Sequence, residues 1–171
     1  EFLIFNKDEL SKQLNYIAKK YVSYDDFAGL EVADIFSKKT LLKNKILEVN
    51  ELRSLVLLSK DGKYEVSYLP KMAQISPVND IQHLDYDNDS NTDIIIFGNM
   101  TNVSPYFGSL DSNYGILLRG LGEGKFKYID QKKSGLNIRG VVSKVLPLDK
   151  NRSKFVIGIN DNKPSIISLN D

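Results

Sequence analysis

Oxygen-bearing side chains recur at alternate positions of one short segment between residues 85 and 93. They belong to Asp85, Asp87, Asp89, Asn91 and Asp93. Carboxylates at alternating positions of a tight loop supply many of the roughly six to eight oxygens that Ca²⁺ prefers, at flexible geometry. We expect the four aspartates to contribute side-chain oxygens and Asn91 its backbone carbonyl. Mg²⁺ is less suitable, because it prefers fewer protein ligands and near-ideal octahedral geometry.

The acidic segment does not match an EF-hand beyond its first positions. Position 6 is Ser90 instead of glycine, and position 12 is Ile96 instead of a bidentate glutamate. The flanks read as strands, so we expect a hairpin in which Asn88 takes a left-handed conformation. An ordinary polar turn, a weak or empty site and a catalytic metal remain alternatives. Repulsion among four carboxylates favours a bound structural cation over these alternatives.

Other candidate chemistry is sparse, and we expect the chain not to be an enzyme. His83 is the single histidine and has no serine, aspartate or cysteine partner at a recognised spacing. The chain has no cysteine, which excludes disulfides, thiol nucleophiles and zinc thiolate sites. We therefore predict no catalytic residues and no organic cofactor. The aromatic residues Tyr106, Phe107 and Tyr114 either contact a protein or glycan, or pack their own loop down.

Composition excludes two further classes of partner. Lysine and arginine number 23 and aspartate and glutamate 22, which leaves a formal net charge of +1. Such a balance, with scattered basic residues, predicts no nucleic-acid binding. No apolar run approaches the ~20 residues that span a bilayer, so we expect no membrane insertion by this segment. Residues 1–5 are typical of the end of a preceding strand, which suggests a piece of a longer chain.

Residues 6–44 have a helical pattern. Asn6 and Glu9 have the spacing of a capping box, in which each side chain caps a backbone N–H of the other. Apolar residues then recur on one helix face as far as Tyr21. Ser23 and Asp26 repeat the capping signal more weakly, so we expect a second helix there, interrupted by Gly29. Shorter helical turns follow in 32–36 and 38–42.

From residue 45 onward the pattern is that of short strands separated by turns. Lys60-Asp61-Gly62-Lys63 predicts a hairpin turn, since glycine adopts positive φ without steric cost. The predicted strands are 54–59, 64–69, 78–84, 94–97, 115–119, 126–129, 141–148, 154–159 and 164–169. The fold class is therefore mainly β, with a helical insertion before it.

An internal repeat of about sixty residues runs through the strand region. Residues 57–64 are similar to 117–126, and residues 95–99 are similar to 156–160. Short strands in repeated units of this size are typical of β-propeller blades. We expect a partial β-propeller of two to three blades across 45–171. Residues 45–70 form the outer strands of one blade, 77–130 a whole blade and 140–170 most of a third.

The acidic loop resembles the repeat of the FG-GAP/VCBS family, whose propellers are similar to the integrin α-subunit headpiece. The hallmark of that family, D-x-[DN]-x-D-G-x-x-D before an apolar strand, stands here at residues 85–93 followed by Ile94-Ile95-Ile96-Phe97. The chain is closer still to the carboxy-terminal part of large FG-GAP-like Bacteroidota proteins with an ASPIC/UnbV segment. Ser90 departs from the hallmark glycine, and Asn137-Ile138-Arg139-Gly140 lacks the acidic residue needed to carry over a second ion site.

The resemblance implies a secreted or outer-membrane-attached propeller in which Ca²⁺ is structural. Its expected role is a non-enzymatic surface module that binds or scaffolds a protein or glycan ligand of unknown identity. It also implies that remaining blades or partner subunits complete the ring. Two alternatives stay open: a component of an outer-membrane export or nutrient-uptake assembly, and part of a carbohydrate-active propeller enzyme.

Overall fold

The computed structural model describes residues 1–104, 106 and 108–169. The chain divides into two compact units, Glu1–Asn50 and Glu51–Asp171. The first contains helices, and the second contains nine strands among its described residues. No helix in the described part of the chain has both the length and the apolar character that a membrane span requires.

The first unit is built from four short helices: α1 (Lys7–Gln13), α2 (Asn15–Lys20), α3 (Val32–Ile35) and α4 (Lys38–Lys43). The capping box at Asn6 and Glu9 is formed, with the Glu9 N–H donating to Asn6 at 2.9 Å. The predicted helix face is only partly continuous, because Leu14 leaves helical geometry and separates α1 from α2. Leu10, Ile17 and Tyr21 are buried together, whereas Ala18 is exposed.

The second predicted helix, near Ser23 and Asp26, is wrong. The two residues make both reciprocal hydrogen bonds of a capping box. The chain then forms only a turn, with the Ala28 N–H bonded to the Tyr24 carbonyl, and Gly29 follows at a φ of 76°. A single turn fixes several residues for few hydrogen bonds, so a cap without a following run of helix formers nucleates no helix.

The second unit consists of three antiparallel sheets. Sheet A is the hairpin β1 (Leu55–Lys60) and β2 (Lys63–Tyr68). Sheet B is the meander β3 (Val78–Leu84), β4 (Asp93–Gly98), β5 (Ile116–Gly120) and β6 (Phe126–Tyr128). Sheet C is the meander β7 (Val142–Pro147), β8 (Lys154–Ile159) and β9 (Ser165–Ser168). The mainly β class is confirmed, and these strands follow the predicted ones to within about two residues.

Two short helical turns lie in this second unit, so helix is not confined to residues 6–44. One is a 3₁₀ turn at Lys71–Gln74, and the other is α5 (Gln131–Ser134). Along the chain, the first turn lies between sheets A and B and the second between sheets B and C. Neither replaces a predicted strand. The hairpin turn of sheet A has the predicted geometry, with φ of 51° at Asp61 and 73° at Gly62.

Sheet B packs on both of its faces, because its strands alternate apolar side chains toward two cores. Ile95 and Phe97 of β4 belong to a core shared with Val145 and Phe155 of sheet C. Ile96, between them, belongs to a second core that includes Val56 of sheet A. Successive side chains of a strand point to opposite faces, so the sheets are stacked in the order A, B, C.

Polar side chains of β3 also bind the backbone of β7, the neighbouring strand of sheet C. The buried carboxylate of Asp80 accepts a hydrogen bond from the Val145 N–H at 2.7 Å. Gln82 donates to the Val145 carbonyl at 2.9 Å and accepts from Arg152 at 2.6 Å. These contacts satisfy polar groups that the stacked sheets remove from water.

Candidate metal centre

The acidic loop joins β3 to β4 within sheet B and spans residues 85–92. Two loop residues have positive φ, Asn88 at 57° and Ser90 at 66°. The left-handed conformation predicted for Asn88 is therefore confirmed. Ser90 takes the same conformation at the position where the family hallmark has glycine, and a residue with a Cβ adopts it at a cost of roughly 1 kcal/mol.

Three of the five predicted ligand residues meet in space. Carboxylate oxygens of Asp85, Asp87 and Asp89 all lie within 4.8 Å of one another and remain accessible to solvent. Oxygens bound to Ca²⁺ lie about 2.3–2.6 Å from the ion, so two ligands on opposite sides of it are about 4.6–5.2 Å apart. The spacing and the all-oxygen donor set fit a hard divalent cation.

The same carboxylates also organise the loop backbone. Asp85 accepts hydrogen bonds from the N–H groups of Asp89 and Ser90, each at 3.1 Å. The Asn91 N–H donates to Asp89 at 2.8 Å. Each carboxylate oxygen has a second lone pair, so these bonds leave the three residues able to contact a cation as well.

Asp93 does not belong to the group of three. Its side chain is fully buried at 0% exposure. Its two oxygens accept hydrogen bonds from the backbone N–H groups of Tyr86 and Gly120, each at 2.6 Å. Asp93 thus closes the loop onto β5. For Asn91, the structure records a contact through its N–H, to Asp89, and the expected role of its carbonyl stays a prediction.

Arg119 of β5 lies directly on the acidic group, and the sequence analysis assigned it no role. Its Nη2 donates to Asp89 at 2.8 Å, and its Nε lies 2.5 Å from an oxygen of Asp87. The Nε contact is ionic only, because this buried atom makes no well-formed hydrogen bond within the described residues. A single charge in an otherwise apolar strand, Leu117-Leu118-Arg119-Gly120, was the signal that could have identified it.

The ion pair changes the electrostatics of the loop. The hydrogen bond from Arg119, helped by the Asn91 N–H, lowers the pKa of Asp89. The same bond, together with the charge of Asp87, raises the pKa of Arg119. One guanidinium therefore offsets part of the repulsion among the carboxylates. A divalent cation would have to share Asp87 and Asp89 with Arg119 or displace it.

The equivalent connection in sheet C holds no such group. It joins β7 to β8 and has Asp149 as its second residue, whereas Asp85 is the first residue of the acidic loop. Asp149 accepts from the Lys154 N–H at 2.8 Å and from the Ser153 hydroxyl at 2.9 Å. None of the other residues of this loop is acidic; they are Leu148, Lys150, Asn151, Arg152 and Ser153. Among the described residues, Asp85, Asp87 and Asp89 are the only acidic group that could hold an ion.

The other candidates from the sequence are His83 and the aromatic residues of the long loop. His83 is exposed on β3, and its backbone carbonyl accepts a hydrogen bond from Arg152 at 2.6 Å. Tyr106 is 91% exposed, Tyr114 has the Arg139 guanidinium 6.0 Å from its ring centroid, and Phe107 lies outside the described residues.

Comparison with known proteins identifies no relative. No family model, no curated protein and no solved structure matches the chain.

Proposed function

We propose that this chain is a non-enzymatic calcium-binding segment of an FG-GAP-type β-propeller that acts as a surface-binding or scaffold module. The observation that carries the proposal is the convergence of Asp85, Asp87 and Asp89 in the hairpin loop of sheet B. That loop follows the strand of sheet B that binds the backbone of sheet C. A cation bound in that loop would stabilise sheet B, which contributes side chains to both cores.

Calcium bound at this group would neutralise the loop and hold it closed. Asp85, Asp87 and Asp89 are the side chains that would hold it. The loop already has internal support from Arg119 and from the amides bound to Asp85 and Asp93. The ion would therefore tune the stability of a loop that also folds without it. Extracellular calcium modules bind at about 10⁻⁴–10⁻³ M. At millimolar calcium such a site adds roughly 0.5–1.5 kcal/mol.

The propeller part of the proposal is supported by the way the three sheets stack. Each is a short antiparallel meander or hairpin, and sheet B is buried on both faces between sheets A and C. Blades of a propeller are four-stranded antiparallel sheets packed around a common axis. Sheet B has four strands, in the sequence order that a blade requires. Sheets A and C, with two and three strands, would each be part of a further blade. The remaining strands of those blades would lie outside the three sheets.

The proposed location is the cell surface or the extracellular space. A site with millimolar affinity would be filled there and would be largely empty at the low free calcium of cytoplasm. The partner would be a protein or a glycan, as the resemblance of the acidic loop implies. The other blades, or partner subunits, would complete the ring.

Calcium binding is tested directly on the purified chain. Isothermal titration calorimetry with CaCl₂ measures affinity, and thermal unfolding with CaCl₂ or EGTA measures the stabilisation. We expect millimolar or tighter binding and a higher melting temperature in calcium. Asp87→Ala and Asp89→Ala should remove the calcium-dependent rise and still leave a folded protein. Asp111→Ala, in another exposed loop, is the matched control and should keep the rise.

Two results would count against the proposal. If chelation leaves the wild-type melting curve unmoved and calorimetry detects no binding at millimolar calcium, the loop is a polar turn. If Mg²⁺ stabilises the chain as well as Ca²⁺ does, the site is not selective for calcium.

The non-enzymatic part of the proposal is tested separately, by an assay for turnover. Turnover of a polysaccharide or ester by the chain, lost in His83→Ala, would contradict it.

A further inference from the structure

Residues 44–53, called the connecting segment below, contain no helix or strand and follow the last helix of the first unit. Every residue from 42 to 53 is exposed. Even the apolar side chains are accessible to solvent, with Ile46 75% and Leu47 78% exposed. The two compact units are joined along the chain at Asn50 and Glu51, inside this segment.

The middle of the connecting segment is not held in place by polar contacts. Within the described part of the chain, residues 45–50 make no hydrogen bond and no ion pair. A protease binds its substrate as an extended chain, so exposed backbone without hydrogen bonds is the preferred place for cleavage of a folded protein. The connecting segment can take that form without the loss of any helix or strand.

The two basic residues inside the connecting segment differ in their surroundings. Lys45 belongs to the stretch without partners, whereas the Arg53 guanidinium donates to Glu51 at 2.8 Å and 2.6 Å. The same guanidinium lies 3.7 Å from the ring centroid of Tyr68. Trypsin-like proteases insert the basic side chain that precedes the cleaved bond into a pocket with an aspartate at its base. Lys45 can enter such a pocket directly, but Arg53 must first leave both of its partners.

The peptide bonds next to the other basic residues are also held by the backbone. Lys43 is the last residue of α4, and the N–H of the following Asn44 donates to the Leu41 carbonyl at 3.3 Å. Ser54 follows Arg53, and its N–H donates to the Gln74 side chain at 2.6 Å. The bond between Lys45 and Ile46 has no such contact on either side.

We propose that the Lys45–Ile46 bond is a processing site at which a trypsin-like endoprotease separates the helical unit from the sheets. The reaction is hydrolysis of the C–N bond. Water supplies the hydroxyl of the new Lys45 carboxyl group, and a proton goes to the nitrogen of Ile46. No residue from 42 to 53 belongs to any of the three hydrophobic cores, so cleavage opens none of them. Residues 46–171 keep all three sheets and the acidic loop.

Limited digestion of the full chain with trypsin, followed by intact-mass spectrometry, tests the site. We expect the first products to be residues 1–45 and 46–171. The cleavage rate of a bond in a folded protein follows the population of its open form, so this cut should be at least about tenfold faster than the next one within 46–171. A first cut elsewhere, or a connecting segment that resists trypsin, would overturn the proposal.

Variants test why this bond is chosen. Lys43→Gln together with Lys45→Gln should slow the first cleavage about tenfold, since the remaining basic residues lie in hydrogen-bonded structure. Lys60→Gln together with Lys63→Gln makes the same change in net charge in the turn of sheet A and should leave the rate unchanged. If the first double variant is cut after Arg53 as fast as the wild type is cut after Lys45, the assignment to Lys45 is wrong.

Thermal unfolding of the cleaved chain in EGTA tests whether the sheets survive the separation, independently of calcium binding. We expect residues 46–171 to keep the β-sheet signal in circular dichroism and to unfold in one cooperative transition. Loss of that transition on cleavage would show that the first unit is needed to hold the sheets together, and the cut would then be degradation and not processing.

Discussion

Asp93 and Gly120 are joined by a 2.6 Å hydrogen bond in which the Gly120 N–H donates to a carboxylate oxygen of Asp93. The bond ties the first residue of β4 to the last residue of β5. The second oxygen of Asp93 accepts the Tyr86 N–H at the start of the acidic loop. A Cβ on residue 120 would lie 2.3 Å from the Thr92 carbonyl oxygen, so this approach requires glycine. Asp93 therefore supports the loop whether or not an ion is bound.

Asp93→Ala is expected to destabilise the fold strongly. The substitution leaves two N–H groups without their charged acceptor at a site with 0% exposure. Unsatisfied buried polar groups cost about 1–3 kcal/mol each, so we expect a loss of about 2–6 kcal/mol in the free energy of unfolding. Urea denaturation in EGTA measures it without any contribution from a cation. Asp111→Ala, in an exposed loop, should change stability by less than about 0.5 kcal/mol. Equal effects of the two substitutions would contradict this role.

Arg119→Gln is expected to tighten calcium binding. The substitution removes a positive charge that contacts Asp87 and Asp89 and would compete with the ion. These ion pairs are reached by solvent and screened by salt, so the gain in affinity should be modest, about three- to tenfold, and larger at low salt. The variant should also be less stable than the wild type in EGTA. Calorimetry and thermal unfolding measure the two effects.

Lys127→Gln is the matched control for that experiment. Lys127 pairs with Arg119 across strands β5 and β6, and its loss makes the same change in net charge. If Lys127→Gln tightens calcium binding as much as Arg119→Gln does, the effect comes from net charge, and direct competition at the carboxylates is excluded.

Ser90→Gly is expected to stabilise the chain. Ser90 has a φ of 66°, which glycine adopts without the steric cost that a Cβ brings. Its N–H donates to Asp85, and that bond is kept in the variant. We expect a gain of about 0.5–1 kcal/mol in the free energy of unfolding. Ser59→Gly, in the extended β1 strand, should instead lose stability. A loss in Ser90→Gly as well would show that the left-handed conformation causes no strain.

Asp80 is expected to make stability depend on acid pH. Its side chain is 6% exposed, and burial by itself would raise its pKa. The Val145 N–H and the Lys144 ammonium, 3.0 Å away, outweigh burial and lower the pKa below its ordinary value. A lowered folded-state pKa stabilises the fold above the unfolded-state pKa of about 3.9, and the contribution is lost as pH falls further.

The comparison of the wild type with Asp80→Asn between pH 7 and pH 2.5 tests this dependence. We expect the wild type to melt at a higher temperature near neutral pH, and the difference to shrink once the pH drops below about 4. Asp61→Asn, in the exposed turn of sheet A, should differ little from the wild type across the range. A difference that stays constant down to the lowest pH would exclude titration of Asp80 as its cause.

Features set by neighbours along the chain could be predicted from the sequence by itself. The Asn6–Glu9 capping box, the Asp61-Gly62 turn and the left-handed Asn88 all depend on contacts within a few residues. The positions of the strands could be predicted for a similar reason, because alternating or continuous runs of apolar residues between turn signals are compatible with few other structures. The acidic group was visible since its three aspartates alternate within one loop.

Other features were decided only by tertiary structure. The contact of Arg119 with Asp89 spans 30 residues and exists because the meander places β5 beside β4. The sequence alone predicted four aspartate ligands, but Asp93 does not lie with the other three, because packing against β5 turns both of its oxygens toward backbone N–H groups. The turn after Tyr24 did not become a helix, since a local cap cannot offset the entropy of nucleation without further contacts.

The clearest case is the choice of which strand faces are covered. Ile95 and Val156 are similar branched residues in the middle of β4 and β8, and the repeat in the sequence treats them alike. Ile95 is fully buried, whereas Val156 is only partly buried and pairs with the exposed Leu146 and Ile166 on the outer face of sheet C. Local sequence determines that a strand has an apolar face. Burial of that face depends on whether a second sheet lies about 10 Å away, which is a property of the assembled stack.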